Sequence, residues 1–134
     1  MKKRPTDKRL KFNLWELCKQ ITRERYGYTC YTCGKNLENG VQCHTGHFIP
    51  SSTGGAYLRY DLRNLRPQCY NCNINLGGNG SMFYRKLVER EGQDYVDEIF
   101  EDKQKSIKAD WVFYQMKIDE YTKILEELRK DRVE

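Results

Sequence analysis

The sequence predicts a small α+β fold, with helices flanking a short-stranded middle that is held by cysteines. Three observations carry that expectation. Leu10, Leu14, Leu17, Cys18 and Ile21 recur at helical spacing near the start. Two Cys-x-x-Cys pairs, Cys30/Cys33 and Cys69/Cys72, bracket a stretch of strand and turn character. Near the end, Ile107, Trp111, Tyr114, Ile118, Tyr121, Leu125 and Leu128 follow a 4-3-4-3-4-3 spacing, which is a heptad seam.

Taken in order, residues 1–11 read as a basic flexible arm that runs into a lead helix from about Leu10 to Tyr26. Gly27 stops that helix. Cys30 to Lys35 is a tight turn, and residues 41–49 read as a strand. Pro50 to Gly55 reads as a loop, and residues 56–68 as a short strand and turn. Cys69 opens a helix or turn that ends in Gly77-Gly78-Asn79-Gly80. Ser81 caps a helix over 82–91, a further helix covers 93–103, and the heptad segment forms a long helix over 104–134. The chain therefore divides into the arm (1–11), a central domain (12–103) and a C-terminal helix (104–134). The seam of that helix has two possible uses: packing on its own domain, or docking on a second copy to form a homodimer.

Composition narrows the function classes. A chain of 134 residues is about one domain. Aromatic residues make up 13%, which argues for a packed core rather than disorder. No apolar run is long enough to span a membrane, and no apolar stretch follows the basic start, so neither a membrane anchor nor a secretory leader is expected. Without secretion, the six cysteines read as thiols rather than as a disulfide framework. Formal net charge is +5, and it is uneven. The basic surplus lies in the first two-thirds, while residues 89–134 are net acidic. That distribution suits a polyanion on one face.

Four thiolates in two Cys-x-x-Cys pairs form a tetrahedral shell for structural zinc, because two intervening residues let both sulfurs of a pair turn inward. Reduced metal-free thiols or a redox pair are the alternatives, although Cys30-Tyr-Thr-Cys33 lacks the strand-to-helix setting of a redox motif. Cys18 lies on the apolar helix face and Cys43 in the strand, so both read as core.

Between the pairs lie the two histidines, His44 and His47. Gly46-His47-Phe48-Ile49-Pro50 is followed by Asn64-Leu65-Arg66-Pro67-Gln68-Cys69 and then by Cys72-Asn73. The order His, Asn, Cys-x-x-Cys-Asn resembles the HNH, or His-Me finger, nucleases, in particular the zinc-stapled type of phage junction resolvase. The wider set His47-Phe-Ile-Pro-Ser, Leu58-Arg-Tyr-Asp61, Asn64, Pro67-Gln-Cys69, Cys72-Asn73, Gly78-Asn79 and Tyr84 resembles the lambda NinG (Rap) recombination proteins. The resemblance covers residues 12–100 and includes the helix that carries Trp15.

The resemblance implies a zinc-stapled ββα-metal core and a metal-dependent DNA endonuclease that acts on branched recombination intermediates such as Holliday junctions and D-loops. It also implies a phage or prophage source and action in the bacterial cytoplasm. By position, His47 is the general base, Asn64 the loop-structuring asparagine, and Asn73 a ligand of a catalytic Mg²⁺ or Mn²⁺. Many HNH proteins place Asp or His directly before the general base as a second ligand, where this chain has Gly46. His44 shares the strand face of Gly46 and is the candidate replacement. DNA contacts are expected from Lys3, Arg4, Arg59, Arg63, Arg66, Arg85 and Lys86, giving salt-dependent binding. Two other uses of the same residues stay open: a zinc-containing DNA-binding module without catalysis, and a protein–protein adaptor. A less selective HNH nuclease is a further possibility within the enzyme class.

Overall fold

A computed structural model describes residues 3–38 and 42–133. Val41, the first residue of the expected 41–49 strand, and the first two residues of the arm lie outside the described residues. Helix α1 spans Asp7–Tyr26, so residues 7–11 of the expected arm are helical. The early start has a local cause. Thr6 Oγ1 accepts the Arg9 N–H at 3.1 Å, and Asp7 places negative charge in the first turn. Gly27, at φ 73°, ends the helix.

Strand β1 is short, His44–His47, and pairs antiparallel with β2, Leu65–Gln68. The register sets His44 opposite Gln68, Gly46 opposite Arg66 and His47 opposite Leu65. The connection between them departs from the expected loop and strand. Ser51–Arg59 is a helix, α2, broken at Gly55, and Leu62–Asn64 adds a 3₁₀ turn before β2. Asn64 clasps this connection from inside. Its Oδ1 accepts the Ile49 N–H at 2.7 Å, and its Nδ2 donates to the carbonyls of Ile49 (3.0 Å) and Leu58 (3.1 Å). The side chain is fully buried and its amide is used on both sides, which is what burial of a polar group requires.

After β2 the expected helix or turn is a single five-residue π-turn, Asn71–Asn75. Three asparagines favour turns over helix, and Gly77 and Gly78 both take positive φ immediately beyond. Among the described residues no regular α-helix directly follows β2, and the next one begins at Gly80. Helices α3 (Gly80–Glu91) and α4 (Gln93–Asp102) follow. Their Phe83, Leu87, Val96 and Ile99 pack with Phe48, Ile49 and Leu58.

The final helix, α5, runs from Trp111 to Val133 rather than from 104. Asp110 Oδ1 accepts the Phe113 N–H at 3.2 Å and so caps it, and Ile107 lies before the helix. The heptad seam turns inward. Tyr114, Tyr121 and Leu125 are buried with Leu10, Leu14, Cys18 and Ile21 of α1. Each fully buried leucine here contributes about 1.5–3 kcal/mol of apolar burial. Cys18 is core, as its place on the apolar stripe implied. The Tyr121 hydroxyl donates to the Tyr60 carbonyl at 2.6 Å, which ties α5 to the end of α2. No helix among the described residues is long and apolar enough to cross a membrane.

Candidate metal centre and histidine cleft

The two Cys-x-x-Cys pairs meet. The Sγ atoms of Cys30, Cys33, Cys69 and Cys72 lie within 4.8 Å of one another. Cys33 and Cys69 sulfurs are 3.7 Å apart. A tetrahedral zinc with Zn–S bonds of about 2.3 Å places its sulfurs about 3.8 Å apart, so the four thiols can hold a zinc ion. Gly34, at φ 82°, turns the chain so that its N–H reaches the Cys30 carbonyl at 2.9 Å. Burial opposes the Cys30 thiolate, yet the Thr32 hydroxyl and nearby backbone N–H groups bring its pKa down to about 6. The Cys72 N–H points at the Cys69 sulfur (3.4 Å), and Asn79 Nδ2 at the Cys72 sulfur (3.6 Å). Such donors favour the charged thiolates that zinc needs. Cys43 is buried in the same neighbourhood but outside the four-sulfur set.

His47 sits on the opposite side of β1 from His44, since side chains alternate along a strand. Its ring stacks on Trp15 of α1, with centroids 5.2 Å apart and planes 6° from parallel. Its Nε2 lies 2.9 Å from the Arg59 carbonyl oxygen. A carbonyl only accepts, so Nε2 carries the hydrogen and the lone pair of the neutral ring is on Nδ1. Burial lowers the pKa of His47 below its ordinary 6.5, with the Arg59 charge acting in the same direction and the carbonyl contact opposing them. The ring borders a cleft of about 350 Å³ lined by Lys11, Phe12, Trp15, His47, Arg59 and Tyr60.

On the other face, His44 Nδ1 lies 2.9 Å from the Asn73 side-chain amide. Tyr70 meets the His44 ring edge-on at 5.7 Å. The fold thus brings His44 and Asn73 together, places His47 across the strand from them, and holds Asn64 in the interior.

The expected cations separate into two groups. Lys3, Arg4, Arg59 and Arg85 are exposed and Lys86 is half-buried. Arg63 is paired with both Asp61 and Asp102, and these contacts hold its guanidinium charged. Arg66 is a correction: its side chain is fully buried and does not face solvent. It donates to the Leu65 carbonyl at 2.7 Å and to the Tyr95 hydroxyl at 2.9 Å, with its guanidinium 4.2 Å from the Tyr26 ring centroid. Its place opposite Gly46 in the short sheet points it inward, and flanking Asn64 in sequence gave no sign of that. Conversely, Phe12 and Tyr60 of the cleft did not stand out as functional. Phe12 lies off the Leu10–Leu14–Ile21 stripe, and that was the available signal.

A small helix-rich protein with a four-cysteine cluster bracketing a two-stranded sheet is the class defined here. Residues 4–132 match the family described as Bacteriophage Lambda NinG protein, and the chain belongs to that family. Protein ninG of Escherichia phage lambda is 31% identical over 107 residues, covering 78% of this chain and 50% of that protein. Protein ninG of Salmonella phage P22 is 33% identical over 107 residues, with the same coverage. Protein ninG of Escherichia phage 933W is 36% identical over 70 residues, 52% of this chain and 33% of that protein. The chain spans at most about half the length of these curated relatives. No solved structure matches.

Proposed function

We propose that this chain is a metal-dependent endonuclease that hydrolyses phosphodiester bonds in branched DNA, such as Holliday junctions and D-loops, in the bacterial cytoplasm. The observation that carries this reading is the setting of His47. One ring nitrogen is fixed as a donor to the Arg59 carbonyl, the ring is clamped against Trp15, and burial keeps the imidazole neutral. A neutral imidazole oriented in this way is ready to accept a proton at Nδ1.

In the reaction, a water oxygen attacks phosphorus while its proton passes to His47 Nδ1. The 3′-oxygen leaves and takes a proton from solvent, giving 5′-phosphate and 3′-hydroxyl ends. Asn64 keeps the β1–β2 connection folded, and with it the position of the histidine. The side-chain oxygen of Asn73 suits a hard divalent ion that keeps most of its waters, and the His44 imidazole, a softer donor, lies beside it with Nδ1 2.9 Å from Asn73 Nδ2. Asn73 and His44 would hold the Mg²⁺ or Mn²⁺, which would supply charge relief to the phosphate and the leaving oxygen. Lys3, Arg4, Arg59, Arg85 and Lys86 supply phosphate contacts, and Arg63 contributes through its half-exposed guanidinium.

A symmetric cut across a junction needs two sites. Because the buried seam of α5 is engaged on α1, a homodimer uses the exposed residues of α5, Trp111, Val112 and Met116 among them. Sedimentation finding only a 16.0 kDa species at tens of micromolar ends that part of the proposal.

A second reading, a zinc-containing DNA-binding module without catalysis, is favoured by one observation. Gly46 offers no ligand, and the His44–Asn73 pair lies across the strand from His47. A nicking assay separates the two. Purified protein is incubated with a labelled four-way junction and a matched linear duplex in Mg²⁺ or Mn²⁺, beside a His47→Ala variant. The nuclease reading expects preferential junction cutting by the parent chain and binding without cutting by the variant. Binding by both with no cutting in either ion leaves the DNA-binding module.

A further inference from the structure

We infer that the cleft in front of His47 is a nucleobase-stacking site, which seats one unpaired base of DNA beside the phosphate to be cut. This rests on the nuclease reading for its place in the reaction, but its chemistry is argued independently. Phe12 is 54% exposed at the edge of the cleft. It lies on α1 one turn before Trp15, so the two aromatic side chains share a helix face. Within the chain, its face meets only a cation among the described aromatic and charged contacts, the Arg9 guanidinium 5.4 Å from the ring centroid. An exposed aromatic in this position adds no core stability, whereas Leu10 and Leu14 nearby are fully buried.

The rest of the cleft defines its occupant. Trp15 and His47, stacked with planes 6° from parallel, line the cleft and leave only an outer ring face for stacking. Lys11 and Arg59, both exposed, border it. Flat apolar faces ringed by cations match a base with its phosphates, and base–aromatic stacking tolerates any sequence. A base paired within a duplex cannot enter, because both of its faces are covered by neighbouring pairs. Unpaired bases, such as those of the displaced strand of a D-loop, are free to enter, so the cleft provides a physical basis for selecting such DNA over an intact duplex.

The test reads Trp15 fluorescence in a Trp111→Phe background, where Trp15 is the remaining tryptophan. The protein is titrated with oligothymidylate and with an abasic oligomer of equal length, with no added divalent ion. The expected result is quenching and tighter binding with oligothymidylate only. Phe12→Ala weakens that binding about 5- to 10-fold, the lower range for one stacked base, and leaves the abasic oligomer unaffected. Phe12→Tyr restores it. Equal affinity for the two oligomers, or equal loss on both in Phe12→Ala, overturns the inference. The outcomes separate from those of the nicking assay. Base-dependent quenching without junction cutting defeats the nuclease reading alone, and cutting without base-dependent binding defeats the cleft alone.

Discussion

The side chain of Gln68 occupies the space that a Cβ on Gly46 would need. Its Nε2 donates to Thr32 Oγ1 (3.1 Å) and to the Gly78 carbonyl (2.9 Å), which fixes the amide and leaves its buried Oε1 without a partner against Gly46. Glycine at 46 is therefore a packing requirement. Gly46→Ala should lower stability by about 1–3 kcal/mol through overpacking. Gly46→Asp, which puts a larger and charged side chain into the same space, should lower it further. Shortening the obstruction with Gln68→Ala should make the Gly46→Ala change less costly. A denaturant double-mutant cycle checks this, and strict additivity of the two changes would count against it.

Arg66 and Arg59 should respond in opposite ways. Arg66 is enclosed by Tyr26, Tyr31 and Tyr95, with Glu91 at 3.7 Å. Removing it strands buried acceptors, so Arg66→Ala should cost about 3 kcal/mol or more. Arg59 is exposed, and Arg59→Ala should leave the melting temperature nearly unchanged. It should instead make the salt dependence of DNA binding shallower, by about one phosphate contact. Thermal melts and salt titrations of both variants decide the matter.

For His47, burial disfavours the imidazolium, so the folded-state pKa lies below the ordinary 6.5. Between those two values the unfolded chain binds the extra proton, and stability therefore falls as pH drops below about 6.5 and stops falling below the folded value. Cleavage, if it uses neutral His47, should persist below pH 6.5 and lose activity only at more acidic pH. An NMR titration of the His47 ring in the folded chain gives the pKa directly. A value above 6.5 would contradict the burial argument.

Zinc removal should unfold the middle of the chain. The four sulfurs join residues 30–33 to residues 69–72, and β1, α2 and β2 lie between. Elemental analysis should find one zinc per chain, and Cys72→Ser should lose it together with the cooperative melt. Retention of a sharp transition after chelation would show that the cysteines are not structural ligands.

Much of this was legible in the sequence. The cysteine cluster followed from two Cys-x-x-Cys pairs, because two-residue spacing carries its geometry locally. Helices α3 and α4 fall within two residues of their expected bounds and share the stop at Gly92, but Ser81, the expected cap, lies inside α3, and Asn79 holds the N-cap position. The α2 helix was missed because Ser51-Ser52-Thr53-Gly54-Gly55 reads as a loop, while Asn64 supplies the closure from outside that segment. The burial of Arg66 was equally invisible, since its aromatic enclosure comes from Tyr26, Tyr31 and Tyr95, scattered along the chain. The orientation of His47 depends on a backbone carbonyl, a group that every residue has and that no side-chain pattern marks.

The hydroxyl of Tyr121 reaches further than the helix it sits on. It holds the Tyr60 carbonyl, which the Cys18 thiol also meets at 3.8 Å, and the next carbonyl back along the chain is the one that orients His47. The C-terminal helix is thus part of the mounting of the histidine. A chain shortened before Tyr121 would keep all four thiols and lose the anchor beneath its imidazole. Damage at the far end of the molecule would then reach the ring in the cleft as well as the α1–α5 core.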